Sequence, residues 1–295
     1  MARKKILDVL AEGKPLVSDG AWGTVLQSIG LQPGECPEIW NLTRADDVYR
    51  VGLQYIEAGA QMIGTNSFGG SRLKLANYGA GERCAEINEA AAQLSRRAAG
   101  DLHWVLGSVG PTGKMLLMGD VTGSEMYEAF REQVVALERG GADAICVETM
   151  SDIEEARLAV RAAKAHTALE VIATFTFERT VRGEYRTMMG VAPVQACEAM
   201  LEAGADIVGT NCGNGFARMI EIVSEIRSVL RDAPILVHAN AGLPVNEDGV
   251  DRYTDTPEIM ASLAPDLVSA GASIIGGCCG TNPEYIRAIR RAIHG

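Results

Sequence analysis

The chain of 295 residues predicts an α/β fold, a single TIM-type (β/α)8 barrel with its active site at the C-terminal face of the strands. Eight short apolar runs alternate with segments of helical periodicity. This alternation is typical of parallel βαβ units, and eight such units fit the length of the chain. A pattern of helix end, glycine and apolar run also recurs four times, which favours a repeated architecture.

The recurring pattern locates four of the strands. Its copies lie at 56–66, 137–149, 201–212 and 268–279. In each copy a glycine suits the left-handed position that follows the last helical turn. The apolar run of four or five residues after it is too short for a helix and therefore predicts a buried strand.

Four further apolar runs, at 15–19, 103–109, 170–176 and 234–240, predict the remaining strands. The eight predicted strands centre near residues 17, 63, 106, 145, 173, 208, 237 and 275. Helical periodicity between them is clearest at 85–99, 125–139, 153–166, 193–203, 216–231 and 257–269.

The longest irregular stretches follow predicted strands, which in a barrel puts them at the C-terminal face, where such enzymes keep their chemistry. These stretches are 20–45, 66–83, 110–124, 177–192 and 241–256. A doubly wound sheet is the competing arrangement, but no G-x-G-x-x-G follows a strand and no Walker loop is present. No Pro/Ser-rich linker divides the chain, so residues 1–295 are predicted to form one domain.

Composition narrows the classes of partner. The formal net charge of -11 argues against nucleic acid and anionic membranes as partners. Seven cysteines, an odd number, do not suggest a disulfide framework, and free thiols favour a reducing compartment. Acidic residues interrupt the basic, amphipathic N-terminus, and no uncharged run is long enough for a bilayer. We therefore expect a cytoplasmic protein.

Three cysteines stand where two predicted strands end. Cys212 ends the sixth strand, and Cys278 and Cys279 end the eighth. One intervening strand would separate these ends by roughly 10 Å, which side chains and loop curvature can close. Three thiolates suit zinc with one open position, which would bind and activate the thiol of a substrate. Buried packing or a redox pair is the other interpretation of the adjacent cysteines.

The other four cysteines lack partners at metal-ligand spacing. Cys146 lies inside an apolar strand and is predicted to belong to the core. Cys36, Cys84 and Cys197 are interpreted as structural or incidental. The glycines beside Cys278 and Cys279 would let both adjacent side chains point inward, which regular strand alternation forbids.

Seven motifs in this order resemble those of the homocysteine S-methyltransferase family, and in particular the homocysteine-binding barrel of cobalamin-dependent methionine synthases. The resemblance covers about residues 6 to 293. The motifs are SDGAWGT (18–24), GTNSF (64–68), GPTG (110–113), VET (147–149), GTNC (209–212), NAGLP (240–244) and GGCCGTNP (276–283).

The resemblance implies that Cys212, Cys278 and Cys279 hold a Zn²⁺ ion. It also implies that Asp19 and Glu148 hold the amino-acid end of homocysteine, as carboxylates suited to an ammonium group. Capping of a helix or loop is the alternative role for both. Asn240 matches the family's NAG element and would lie beside the metal or occupy its open position, unless it only organises a loop.

Other residues near the predicted mouth are ambiguous. Thr65 and Asn66 would line it, although turn chemistry explains them equally well. His238 would share a strand face with Asn240, but the family motif does not require it, and we do not assign it to the site. The Met-rich segment 114–118 would cover a hydrophobic donor or a partner protein, or pack into the core.

The implied reaction is methyl transfer to the sulfur of homocysteine, which gives methionine and needs no nucleophile from the protein. The chain ends at Gly295, without room for a folate or cobalamin domain, so the expected donor is a methyl-corrinoid on a partner protein or domain. S-methylmethionine, S-adenosylmethionine or betaine are alternative donors. Another thiol acceptor, or a non-catalytic module that binds zinc or a thiol, are further alternatives.

Overall fold

The computed structural model describes residues 4–247 and 250–295. Eight parallel strands form a nearly closed barrel, which confirms the predicted fold class. The strands, numbered in chain order, are β1 Leu16–Val17, β2 Met62–Gly64, β3 Trp104–Val109, β4 Ala144–Met150, β5 Glu170–Phe175, β6 Ile207–Asn211, β7 Ile235–Ala239 and β8 Ile274–Gly277.

From β2 to β8 each strand pairs with the next in parallel register, and β8 returns to β1 through Leu16 opposite Ile274. The remaining seam, between β1 and β2, is joined through Gln61. Its backbone N–H donates to Val17 O at 2.7 Å, and its side-chain oxygen accepts from Val17 N at 3.0 Å. The carboxyl ends of all eight strands therefore meet at one rim.

One long helix follows each strand and packs outside the barrel. The eight helices are Ala45–Glu57, Cys84–Ala99, Gly123–Arg139, Ile153–His166, Pro193–Ala203, Phe216–Val229, Pro257–Ala270 and Pro283–His294. Local signals fix several of their starts. Thr122 and Glu125 form a capping box, and Asn282 caps the last helix, which begins with a proline.

Strand alternation divides the core into an outer shell against the helices and an inner layer inside the barrel. The inner layer contains Leu16, Met62, Trp104, Leu106, Ala144, Cys146, Ile172, Ile207, Leu236 and Ile274. The helix Ile6–Leu10 packs against this layer, and Glu170 accepts from the backbone N–H groups of Ile6 and Leu7. This helix closes the N-terminal end of the barrel, so the opposite rim is the open one.

The loops at the open rim are more structured than the sequence suggested. The stretch 20–45 contains helices Trp22–Ser28 and Trp40–Thr43, and 66–83 contains Arg72–Leu75. Two hairpins also rise from this rim, Glu178–Arg179 with Tyr185–Arg186 and Pro244–Glu247 with Val250–Tyr253. Within the described residues, no helix combines the length and the apolar character needed to cross a membrane.

Candidate functional site

The three cysteines predicted as metal ligands come together at the rim. Cys212 directly follows β6, and Cys278 and Cys279 directly follow β8. Their sulfur atoms all lie within 4.8 Å of one another, and Cys212 Sγ is 3.9 Å from Cys279 Sγ. Tetrahedral zinc with Zn–S bonds of about 2.3 Å needs sulfur atoms about 3.8 Å apart. The thiol set therefore fits such an ion with small adjustments.

Strand β7 holds both cysteine segments in place through its backbone. Cys212 N donates to His238 O at 2.9 Å, and Cys278 N donates to Ala239 O at 2.6 Å. Cys212 itself has a φ of 60°, a left-handed conformation rare for a non-glycine residue. The intervening strand thus sets the separation between the two cysteine-bearing loops.

Glycine is required beside the cysteine pair for two different reasons. A Cβ at position 277 would lie 2.3 Å from Thr281 Oγ1, whose hydroxyl donates to Cys278 O at 2.7 Å. Gly280 has a φ of 81°, and a Cβ there would meet the Tyr253 ring at 2.3 Å. The tight turn that aims both adjacent thiols at one point depends on these glycines.

Hydrogen bonds among the three thiols favour one thiolate in the cluster. Bonds with Cys212 and Cys278 lower the pKa of Cys279, and a hydrogen bond with Tyr253 lowers it further. Hydrogen bonds with Cys212 and Cys279, together with burial, raise the pKa of Cys278. A thiolate held this way is ready to act as a metal ligand.

Asp19 lies just beyond β1 and is almost completely buried. Its Oδ2 accepts from Trp22 Nε1 at 2.8 Å and from Gly64 N at 2.7 Å, which fixes the carboxyl group against β2. Burial raises the pKa of Asp19 to about 6, although these hydrogen bonds oppose the shift. The group is therefore a desolvated carboxylate near neutral pH.

Glu148 stands near the C-terminal end of β4. Ser108 Oγ, on the neighbouring β3, donates a short hydrogen bond to Glu148 Oε1. Burial raises the pKa of Glu148 to about 7, and negative charge on Asp19 and Cys279 adds to the shift. Such a group gains most from a cationic partner, because that partner would replace lost hydration.

One cavity of about 400 Å³ joins these groups. Asp19, Glu148 and all three cysteines line it. No lysine or arginine is among its described lining residues, whereas Glu38 adds a third carboxyl group. The cavity is therefore negative, and it favours ligands that bring positive charge, such as a metal ion and an ammonium group.

Two buried polar atoms at the end of β7 lack hydrogen-bond partners among the described residues, and of the two residues only His238 lines the cavity. They are Asn240 Oδ1 and His238 Nε2. Asn240 follows β7, between the two cysteine segments, and an unpaired amide oxygen there suits a metal or substrate contact. His238, which the sequence analysis left out of the site, lines the cavity, and burial lowers its pKa to about 4.

The ambiguous residues receive structural explanations. Thr65 and Asn66 line the cavity, but Thr65 Oγ1 bonds Ser67 Oγ at 2.5 Å and Asn66 Nδ2 donates to Pro37 O at 2.7 Å. Cys146 is buried as predicted and lies in the cavity wall. The segment 114–118 is largely exposed, with Leu117 at 80% and Met118 at 70%.

Sequence reasoning missed the residues that orient the carboxylates and thiols. Trp22 donates a hydrogen bond to Asp19, and Ser108 donates one to Glu148. Tyr253 contacts the cysteine turn. Trp22 belongs to the SDGAWGT motif, so its position three residues after Asp19 was an available signal. Ser108 and Tyr253 approach from other strands and loops, and no local pattern marks them.

Known structures resemble this one over its whole length. The metallated form of the homocysteine methyltransferase MmuM from Escherichia coli superposes with a TM-score of 0.79, covering 96% of this chain and 98% of that chain. Its apo form gives a TM-score of 0.73. Both are 23% identical in sequence, so this likeness supports the fold alone.

Relatives in sequence identify the family of this chain. Methionine synthases of Mycobacterium tuberculosis (strain ATCC 25618 / H37Rv) and Mycobacterium leprae (strain TN) are 34% and 32% identical over 98% of this chain. The chain spans only 25% of the length of each. The model of the homocysteine S-methyltransferase family matches residues 16–293, nearly the whole barrel. This chain belongs to the homocysteine S-methyltransferase family.

Proposed function

We propose that this protein binds Zn²⁺ through Cys212, Cys278 and Cys279 and methylates the thiol of homocysteine to give methionine. One observation carries the proposal. The three sulfur atoms, within 4.8 Å of one another, share a cavity with the buried carboxyl group of Asp19 and the partly buried one of Glu148. A thiol-bearing amino acid presents the two complementary groups, sulfur at one end and ammonium at the other.

The cysteines would act as three thiolate ligands and leave one position open. The substrate thiol would bind at this open position. Contact with zinc would lower the pKa of that thiol, so that its sulfur is present as a thiolate at neutral pH. Asn240, whose Oδ1 lacks a partner within the described structure, would fill the open position before the substrate arrives.

Asp19 and Glu148 would bind the ammonium group of homocysteine. Both are desolvated carboxyl groups with raised pKa values, so pairing with a cation would stabilise their ionised forms. Trp22 and Ser108 hold them in fixed orientations, which would keep the substrate sulfur directed at the thiol cluster.

The reaction needs no proton relay from the protein once the thiol is ionised. A lone pair of the substrate sulfur forms the new bond to the methyl carbon. The bond between the methyl group and its donor breaks, and that electron pair leaves with the donor. The contribution of the chain is to position the sulfur and to exclude water from the cavity walls.

We propose a methyl-corrinoid on a partner protein or domain as the donor. The curated relatives are named methionine synthase and are about four times as long as this chain, so the matching region is one part of each. S-methylmethionine, S-adenosylmethionine and betaine are the alternatives to test. A site built on three free thiols needs a reducing compartment, which favours the cytoplasm.

X-ray absorption of the zinc-loaded protein, with and without homocysteine, tests the proposal. We expect one additional sulfur neighbour on zinc when homocysteine is added. Methionine formation should then be assayed with methylcobalamin and with S-methylmethionine, and against other thiols as acceptors. An unchanged zinc environment would refute the acceptor assignment, and binding without turnover of any donor would indicate a non-catalytic module.

A further inference from the structure

Strand β4 is irregular at the residue proposed to bind the substrate. Val147 pairs with Ala173, and Met150 pairs with Phe175, so β4 has one more residue than β5 in this interval. Glu148 and Thr149 together stand opposite a single residue of β5. This is a β-bulge, a device that redirects side chains next to active sites.

The bulge places Thr149 in an unfavourable conformation. Its φ is 61°, which a β-branched residue rarely adopts. Among the described residues, Thr149 and Cys212 are the two non-glycine residues with positive φ. One directly follows the proposed ammonium ligand Glu148, and the other is a proposed zinc ligand. Strain of this kind persists only where surrounding contacts enforce it.

The side chain of Asn211 supplies those contacts. Its Oδ1 accepts from Thr149 N at 2.7 Å, and its Nδ2 donates to Thr149 Oγ1 at 2.7 Å. Thr174 Oγ1, on the intervening β5, also donates to Asn211 Oδ1 at 2.7 Å. Asn211 is completely buried, and its carboxamide bonds both the backbone N–H and the hydroxyl group of the half-buried Thr149.

Asn211 also belongs to the zinc end of the cavity. It is the last residue of β6 and immediately precedes Cys212. Its backbone oxygen accepts from Thr176 Oγ1 at 2.9 Å, and the next N–H, that of Cys212, donates to His238 O. One residue therefore links the backbone of a proposed zinc ligand to the bulge that carries Glu148.

We propose that Asn211 is a positioning residue that fixes Glu148 relative to the thiol cluster, and so sets the distance between the ammonium and sulfur sites for homocysteine. This inference rests on the proposed function. Asn211 itself contacts neither substrate group. It acts by holding Thr149 left-handed, which keeps the Glu148 carboxyl group directed into the cavity.

The test measures homocysteine binding to zinc-loaded variants by calorimetry. Asn211→Ala should keep its zinc content but raise the Kd for homocysteine roughly 10- to 100-fold, the range for residues that orient ligands. Adding Thr149→Gly should restore most of that affinity, because glycine adopts a φ near 60° without strain and needs no clamp. A purely structural role for Asn211 would give no such recovery.

Thr174→Val is the matched control. It removes one hydrogen bond to Asn211 Oδ1 and leaves both bonds to Thr149 intact. We expect a lower Tm with less than about a twofold change in Kd. If Asn211→Ala does not fold, Thr149→Val serves instead, since it keeps the branched side chain and loses the bond from Asn211 Nδ2. Its Kd should rise severalfold.

Loss of zinc from folded Asn211→Ala, an unchanged Kd, or no recovery in the double variant would each overturn the inference. Glu148→Gln, titrated in parallel, separates this failure from failure of the proposed function. If Glu148→Gln binds homocysteine like the parent protein, the assignment of Glu148 is wrong. If only the Asn211 and Thr149 variants behave like the parent, the positioning role alone is refuted.

Discussion

The two ends of the cavity are built in different ways. At the sulfur end, the three cysteines stand on two short turns, and backbone bonds to β7 together with glycines at 277 and 280 fix the thiols. At the carboxylate end, side chains hold the two carboxyl groups, with Trp22 bonded to Asp19 and Ser108 to Glu148. Backbone bonds and turn glycines thus shape the sulfur end, whereas hydrogen bonds from side chains orient the carboxylate end.

This difference teaches how each end should respond to mutation. Removing a thiol deletes one of the three proposed zinc ligands and leaves the proposed zinc site incomplete. Removing an orienting side chain at the carboxylate end leaves the carboxyl group present but less well directed. The sulfur end should therefore fail completely, whereas the carboxylate end should lose affinity in steps.

The largest effect is expected from Cys278→Ser. Loss of one thiolate from three should weaken zinc binding at least about 100-fold and reduce methyl transfer to background. Zinc content by atomic emission and a homocysteine methylation assay measure both effects. Cys197→Ala is the control, because Cys197 is also buried but lies in the helix Pro193–Ala203. Full zinc content in Cys278→Ser would show that the ion is held elsewhere.

Glu148→Gln should weaken homocysteine binding without changing zinc binding. Truncating one partner of a buried charge pair costs about 2–5 kcal/mol, so homocysteine affinity should fall roughly 30-fold or more while zinc content stays constant. Calorimetry on the zinc-loaded protein measures the affinity for homocysteine. Glu155→Gln is matched, because Glu155 is also buried with a raised pKa but bonds Thr112 outside the cavity. Equal affinity losses in both variants would contradict a specific role for Glu148.

Lowering the pH should weaken ligand binding, but it should increase the contribution of Glu148 to the free energy of unfolding. Burial raises the pKa of Glu148 to about 7, so below that pH the carboxyl group must lose a proton to pair with an ammonium group. Affinity for methionine, which carries no thiol proton, should then fall by up to about tenfold per pH unit below 7.

The raised pKa of Glu148 also makes the free energy of unfolding depend on pH. A carboxyl group with a raised folded-state pKa contributes stability when protonated, and this contribution is lost as pH rises through about 7. Glu148→Gln, which is always neutral, should therefore raise Tm at pH 8 and change it little at pH 4. A parallel Tm difference at both values would show that ionisation of Glu148 does not affect folding.

Among these three single substitutions, Trp22→Phe should give the smallest loss of function. It removes the 2.8 Å bond to Asp19 Oδ2 but leaves the bond from Gly64 N. A hydrogen bond to a charged group contributes about 1.5–3 kcal/mol, so KM for homocysteine should rise roughly tenfold or more with zinc content unchanged. Trp104→Phe is the control, because Trp104 Nε1 donates to Lys4 O at the closed end of the barrel. Similar KM values for both variants would exclude orientation by Trp22.

The sequence predicted the barrel because each unit carries its own signals. Apolar runs and glycines after helices are local patterns, and the structure places strands at all eight expected centres. The short helices within 20–45 were missed because their apolar residues have no long periodicity. The cysteine turn was recognised because its glycines and thiols are adjacent in the chain.

The sequence by itself determined the strand order, the rim that carries the chemistry and the identity of the thiols, since these follow from local periodicity and from the parallel direction of the strands. Only the tertiary structure decided that Ser108 holds the carboxyl group of Glu148, that His238 lines the cavity, and that Asn211 spans β5 to reach Thr149. The physical reason is distance. The bonds from Ser108 to Glu148 and from Asn211 to Thr149 join side chains 40 and 62 residues apart, and only assembly of the barrel brings them within hydrogen-bond range.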